Sequence, residues 1–337
     1  MNKYLPLICG IEGSELSEQE IKFITEFNPW GIIIFERNCK SKKQLTRLTE
    51  SLRSITHEYL PIIIDQEGGR VSRINYSNSL VFKSAKIFGN VLDKNLEIGS
   101  HALLLHSKIM AFSLRELGIN INTIPVLDIL SKDESGIIGD RSYSLNKEIV
   151  AKAGMVVIES LTANGVAPVI KHIPGHGRAK VDSHLDLPII ETSISELDDT
   201  DFYPFKINNN TDLAMTAHII YKDIDDEQPG TLSKKVINDI IRKKIGFNGL
   251  IITDDISMKA IKISVEDAAV KSLNAGCDLV LHCNANMKEM VSIANKINKE
   301  TNLIGIPDNL IKIFKIKCTA QLNELKEELK KSLEALD

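Results

Sequence analysis

Eight short runs rich in Ile, Val and Leu alternate along the chain with amphipathic stretches, and this alternation constrains the fold more than any other feature. The runs fall at residues 5–10, 31–35, 61–65, 119–128, 166–172, 213–218, 250–254 and 278–282. Each reads as a strand buried on both faces, which is the pattern of a parallel sheet covered by helices. Helical periodicity occupies 18–27, 43–59, 96–117, 147–164, 194–207, 234–245, 265–275 and 287–299. Capping signatures support these spans: Ser17 with Glu20, Ser41 with Gln44, Ser193 with Glu196 at helix starts, and Gly246 and Gly276 at helix ends. Eight strand–helix units in one unbroken series predict a (β/α)8 TIM barrel, with a doubly wound open sheet as the alternative because local pattern cannot show closure.

A chain of 337 residues has room for one large domain or two ordinary ones. No Pro-, Ser- or Gly-rich linker divides it, so a single domain over 1–337 is expected, the barrel covering about 4–300 and a helical extension about 307–337. Leu322, Leu325, Leu329, Leu333 and Leu336 form a stripe in that extension. Packing on the chain's own barrel accounts for it, and a partner helix is the alternative.

The formal net charge of −4, with basic and acidic residues interspersed, offers no general attraction to nucleic acid or to an anionic membrane. The five cysteines make an odd count without C-x-x-C spacing, as expected of free thiols in a reducing compartment. The first residues contain too few apolar positions for a signal peptide core, and no run reaches transmembrane length. The expectation is a cytoplasmic monomer acting on a small molecule, with no cofactor and no metal.

Active groups of a barrel sit at the C-terminal ends of its strands or just beyond. The polar residues fall there. The third run ends in Asp65 and continues Q-E-G-G-R-V-S-R; the fourth ends in Asp128 and leads to G-D-R-S-Y around Arg141; the fifth ends in Lys171-His172, the sixth in His218 and the seventh in Asp254-Asp255. Residues 171–184, K-H-I-P-G-H-G-R-A-K-V-D-S-H, carry so many titratable groups and so few apolar ones that they read as a catalytic lid. Carboxylates that accept from hydroxyls, beside Arg and Lys that donate to ring oxygens, suit a sugar.

These motifs, residues 171–184, D-Q-E-G-G-R-V-S-R at 65–73 and T-D-D-I-S-M at 253–258, resemble glycoside hydrolase family 3, over nearly the whole barrel. Within the family the chain is similar to the single-barrel bacterial β-N-acetylglucosaminidases (β-hexosaminidases) of peptidoglycan recycling. The resemblance implies a retaining enzyme that removes terminal N-acetylglucosamine from muropeptide fragments. It implies Asp254 as nucleophile, His184 as general acid/base and Asp182 as the partner of His184. It also implies that Asp65, Arg73, Arg141, Lys171 and His172 bind the terminal sugar. Ile173 and Ile256 stand where the family more often has Phe and Leu, apolar exchanges that bear on pocket shape.

The chemistry is coherent without the family. An imidazole with a reference pKa near ~6.5 can give and regain a proton at neutral pH. A carboxylate two residues earlier lies on the same side of an extended loop and can orient it. Asp255 is expected to point away from Asp254 and to cap the following turn. His176 is expected to shape its loop rather than act as a second acid, while His218 and His282 are open between pocket lining and the barrel rim. His57, His101 and His106 are expected to be structural. Two rival readings remain. One is a metal-dependent barrel hydrolase using His172, His176, Asp182 and His184; the other is a sugar-binding barrel without turnover.

Overall fold

The computed structural model describes residues 3–130, 138–179, 181, 186–317 and 321–334. Eight parallel strands close into a barrel: β1 Leu5–Gly10, β2 Pro29–Ile34, β3 Ile62–Ile64, β4 Ile121–Asn122, β5 Ala167–Ile173, β7 Leu213–Thr216, β9 Leu250–Asp255 and β10 Leu279–His282. The order around the barrel is β1-β10-β9-β7-β5-β4-β3-β2, so each strand neighbours the barrel strands before and after it in the chain. The closed (β/α)8 barrel is therefore the fold. Two further strands, β6 Ile189–Ile190 and β8 Ile220–Tyr221, pair with each other beside it.

Strand parity divides two apolar layers. Ile8, Ile33, Ile63, Ile121, Val169, Met215, Ile252 and Leu281 fill the barrel interior, whereas Leu7, Ile32, Ile62, Ile170, Ala214, Ile251 and Val280 pack under the helices. Near-continuous hydrophobic runs arise because both faces of every strand are covered. The N-terminal end of the barrel is sealed by the segment after the last barrel helix. Ile306, Leu310, Ile313 and Phe314 join the interior cluster, Tyr4 bridges Ile304, and the Trp30 indole donates to Gly305 O at 3.3 Å. Only the C-terminal end is left for polar side chains.

Several helices begin and end where the capping residues placed them. Ser17 and Glu20 close a full capping box, and Gly246 and Gly276 are left-handed caps. At the helix Ile194–Asp199, Ser193 caps Glu196 N, but the Glu196 side chain turns to Arg178 instead of closing the box. The span expected at 194–207 is broken into Ile194–Asp199 and Tyr203–Ile207, the second with Pro204 in its first turn. The fourth strand is shorter than expected, because Pro125 has no N–H to extend the ladder.

Helix Ala85–Lys94 has no counterpart in the sequence reading, because Gly89 interrupts its short apolar pattern. A Cβ on Gly89 would lie 1.6 Å from Tyr143 O, so the helix touches the loop after Arg141 backbone to backbone. The C-terminal helix Leu322–Glu334 lays Leu322, Leu325, Leu329 and Leu333 against the outer core, and Glu328 meets His101 at 2.9 Å. Leu336 lies outside the described residues.

In an open helix a Gly→Ala change stabilises by about 1 kcal/mol. Here Gly89→Ala is expected to destabilise by about 1–3 kcal/mol, the cost of overpacking. It should also weaken ligand binding through the displaced Arg141 loop. Thermal melting and a substrate titration read both effects, and a raised melting temperature would contradict this packing.

Candidate active site

The C-terminal end of the barrel opens into a pocket of about 260 Å³. Asp65, Glu67, Arg73, Arg141, Lys171, His172, His176 and Asp254 line it, with Phe35, Met215, Met258 and Leu281 as its apolar patches. Six of the eight residues singled out from the sequence therefore share one cavity. The other two, Asp182 and His184, lie outside the described residues.

Strand parity delivers two of these groups directly. Val169 and Ile252 point into the barrel, so Lys171 and Asp254, each two residues on, face the pocket. His172 also lines the pocket, and the peptide joining it to Lys171 is cis.

Residues 65–73 return on themselves as a compact turn. Buried Gln66 accepts at Oε1 from the backbone of Arg73 and Ile74 (3.0 and 3.2 Å), and its own backbone is held on both sides by Asn122. Gly68 and Gly69 take positive φ, and a Cβ on Gly68 would lie 2.3 Å from Lys83 O. The turn brings the Arg73 guanidinium back to Asp65 at 3.2 Å and over the Phe35 ring, 5.2 Å from its centroid. Arg73 Nε is buried without a partner among the described residues.

An ion-pair network forms the pocket wall. The Lys171 ammonium, 2% exposed, lies 2.6 Å from Glu67 Oε1, 3.2 Å from Asp65 Oδ1 and 2.9 Å from Thr123 Oγ1. Glu67 also accepts two parallel bonds from Arg141, both at 2.8 Å. The Thr123 hydroxyl donates to Asp65. Burial pushes the Asp65 and Glu67 carboxyls upward, but their cationic neighbours outweigh it. Asp65 falls well below the usual carboxylate range under Lys171 and Arg73, and Glu67 falls to about 2 under Arg141 and Lys171. Arg141 is raised in turn, burial being overcome by Glu67. Glu67 and Thr123 were not singled out from the sequence. Glu67 did carry a signal, since it stands two residues after Asp65 and so on the same side of an extended chain.

Asp128 organises the opposite wall. Fully buried, it accepts from His172 Nδ1 at 2.7 Å and from the backbone of His176 at 2.7 Å and His172 at 3.2 Å. Its pKa is lowered, the cost of burial being exceeded by His172. With Nδ1–H committed to Asp128, His172 turns Nε2 toward the pocket, 3.5 Å from Arg141 Nη2. The His176 ring packs edge-on against His172 with centroids 5.5 Å apart; burial and that neighbour hold its pKa down to about 4, so it is neutral at pH 7.

The lid expectation is corrected for the first part of its span. Residues 171–177 and Ala179 are buried. Arg178 clamps them to the following helix through Glu196 at 2.8 Å, and to the turn after it through Asp201 at 2.7 Å and Thr200 at 3.1 Å. The charged side chains are paired internally, so polarity does not mean exposure here. Ile173 and Ile256 belong to the outer core and do not line the pocket. His218 and His282 are likewise fully buried behind it.

Asp254 and Asp255 both line the pocket but are held differently. The Asp255 carboxylate caps the next turn, accepting from Ser257 N, Ser257 Oγ and Cys283 N at 3.1, 2.7 and 3.2 Å. Asp254 faces the cavity, with Oδ1 accepting from Asp255 N at 2.8 Å. Burial raises its pKa, but His218, His172, that N–H and Lys171 together leave it lowered. At neutral pH the pocket thus holds one ionised carboxylate whose Oδ2 has no donor among the described residues.

Residues 8–313 match the N-terminal domain of glycosyl hydrolase family 3. The chain belongs to glycosyl hydrolase family 3. It is 33% identical to the β-hexosaminidase of Methylobacillus flagellatus over 294 residues, 86% of this chain and 83% of that one. NagZ from Neisseria gonorrhoeae, solved in complex with N-trifluoroacetyl-D-glucosamine, superposes with a TM-score of 0.82 at 28% identity, covering 98% of both chains. NagZ from the same organism has also been solved with a zinc ion (TM-score 0.82, 26% identity, 98% and 97% covered).

The family 3 chain is accordingly a glycoside hydrolase of the β-hexosaminidase group. Its described residues hold no group of three or more His, Cys, Asp or Glu placed to bind a metal. No helix among them is long and apolar enough to cross a membrane.

Glu67 has a folded pKa of about 2, below its ordinary ~4.3. Its stabilisation is therefore present above about pH 4.3 and lost as pH falls toward 2. Glu67→Gln should lower stability at pH 7 by about 3–5 kcal/mol, because Lys171 and Arg141 lose a buried counter-charge. It should also make the decline below pH 4.3 shallower. Urea unfolding at stepped pH measures both, and an unaltered slope would assign the titration to another group.

Proposed function

We propose that this hydrolase is a retaining exo-β-N-acetylglucosaminidase that releases terminal N-acetylglucosamine from peptidoglycan fragments. The proposed substrate is N-acetylglucosaminyl-1,6-anhydro-N-acetylmuramic acid, with or without attached peptide, processed in the cytoplasm during cell-wall recycling. The observation that carries the reading is the ionised Asp254 carboxylate, held by a rigid strand end in a pocket otherwise lined by hydroxyl-binding groups. The resemblance to a NagZ solved with an N-acyl glucosamine derivative supports the choice of sugar.

In the proposed course an Asp254 oxygen attacks the anomeric carbon while His184, oriented by Asp182, protonates the departing oxygen. The resulting glycosyl-aspartate is cleaved when the acceptor, losing its proton to His184, bonds to the anomeric carbon and the Asp254 oxygen leaves with the electron pair of its C–O bond. Arg73 Nε, Arg141, Lys171, His172 and Asp65 provide donors and acceptors for the sugar's hydroxyl and acetamido groups. Because Lys171 and Arg141 are already neutralised by Asp65 and Glu67, the wall can bind an uncharged sugar without leaving a bare buried charge. The enzyme acts as a monomer on a small carbohydrate, without nucleic acid or membrane as partner.

A second reading, metal-assisted hydrolysis, is kept because a zinc-bound relative exists. Its proposed ligands His172 and His176 stand edge to face, and His172 Nδ1 is engaged by Asp128.

An aryl β-N-acetylglucosaminide should be turned over far faster than the matching β-glucoside. Asp254→Ala and His184→Ala should each reduce kcat/KM by at least about 10²-fold. A fluorinated N-acetylglucosaminyl fluoride should label Asp254. Equal turnover of both sugars would defeat the substrate assignment, and labelling elsewhere would defeat the mechanism. Activity should persist in a strong chelator; loss restored by zinc would favour the metal route.

A further inference from the structure

Behind Asp254, on the side of the sheet away from the pocket, lies a buried polar cluster with no contact to the cavity. Thr216, His218 and Thr231 are each 0% exposed. The Asp254 N–H donates to Thr216 Oγ1 at 3.2 Å, Thr216 and Thr231 hydroxyls are 2.7 Å apart, and Thr231 Oγ1 is 2.7 Å from His218 Nδ1. His218 Nε2 is 3.0 Å from Asp255 O.

Counting protons gives these contacts one direction. A carbonyl only accepts, so His218 Nε2 carries the hydrogen toward Asp255 O, and when the ring carries that one hydrogen alone Nδ1 accepts. Thr231 has one hydroxyl proton and directs it to that nitrogen at 2.7 Å, its contact with Ala217 O being longer at 3.2 Å. The Thr216 hydroxyl then donates to Thr231, and Thr216 Oγ1 accepts from Asp254 N–H. The chain of donors leaves the backbone at Asp254 N and returns to it at Asp255 O. Every donor in it has an acceptor, as a buried polar cluster requires.

The ring grips the peptide units on both sides of the link between Asp254 and Asp255. The N–H of that link is the group that holds Asp254 Oδ1, at 2.8 Å. We propose that Thr216, Thr231 and His218 are positioning residues for glycosyl transfer: they fix the backbone so that Oδ1 stays bound to Asp255 N–H and Oδ2 is presented to the anomeric carbon. The proposal rests on Asp254 being the nucleophile. It places three residues that never touch the sugar in control of the carboxylate's aim, where a small misplacement is expensive in rate.

The test uses the full chain and the rate of Asp254 labelling by a fluorinated N-acetylglucosaminyl fluoride, normalised to folded enzyme by active-site titration. Thr231→Val, which keeps the side-chain shape and removes the hydroxyl, should slow labelling at saturation by about ten- to a hundredfold. The half-saturating concentration should stay within about twofold, since the loss concerns the transition state rather than ground-state binding. Thr231→Ser, which restores the hydroxyl, should recover the rate to within about threefold of wild type by the same reasoning. Wild-type labelling in the Val variant, equal slowing in Val and Ser, or a change confined to half-saturation would each overturn the proposal. If Thr231→Val does not fold, Thr216→Val breaks the ring one bond earlier and is judged by the same criteria. Asp254→Ala separates the two levels. Labelling that survives there rejects the nucleophile itself, whereas labelling lost there but retained in the Val variants rejects only the ring.

Discussion

A buried ammonium with nowhere to go but two carboxylates organises this molecule's working end. Lys171 Nζ is within 3.2 Å of both Asp65 and Glu67 at 2% side-chain exposure. A charge so placed is tolerable only when paired and hydrogen-bonded. The pairing ties β5 to the turn after β3, and through Glu67 it ties both to the loop bearing Arg141. Segments distant in the chain are thereby locked into one wall. Removing any single member would strand a charge, which makes the wall rigid as well as polar. Such prearranged dipoles and charges do not have to reorganise when a ligand arrives.

The barrel explains why that network has only one place to form. Interior side chains from eight strands fill the middle, and Ile306, Leu310, Ile313 and Phe314 close the N-terminal end. Charged groups carried at the other strand ends are then concentrated around one small volume. Behind the wall the same economy of geometry recurs: Asp128 serves two histidines, and the ring through Thr231 serves the two peptide units that flank the Asp254–Asp255 link. Asp128 and the three side chains of the ring reach the pocket only through another residue.

Much of this was legible in the linear chain. Alternating apolar runs and helical periods reported the (β/α)8 fold, and the strand-end positions of Lys171 and Asp254 reported that both would lie at the C-terminal end of the barrel. Capping residues located several helix ends. Other features escaped local reading. Helix Ala85–Lys94 was hidden by Gly89, whose use is a backbone contact with Tyr143 fifty-four positions on. The stretch after Lys171 looked too polar to bury, yet 171–177 is buried because Asp128, Arg178 and Asp201 satisfy it from within. Glu67 looked like part of a turn motif until Arg141 and Lys171 were found on it.

What the residue order determined by itself was therefore local: which segments are strands and which are helices. Those properties follow from 2.0- and 3.6-residue repeats that need no knowledge of neighbours. What only the tertiary structure decided was pairing, including which carboxylate meets which cation, which histidine points outward under a helix, and which hydroxyl supports Asp254. Pairing depends on distances between strands far apart in the chain, and those distances exist only once the barrel has closed.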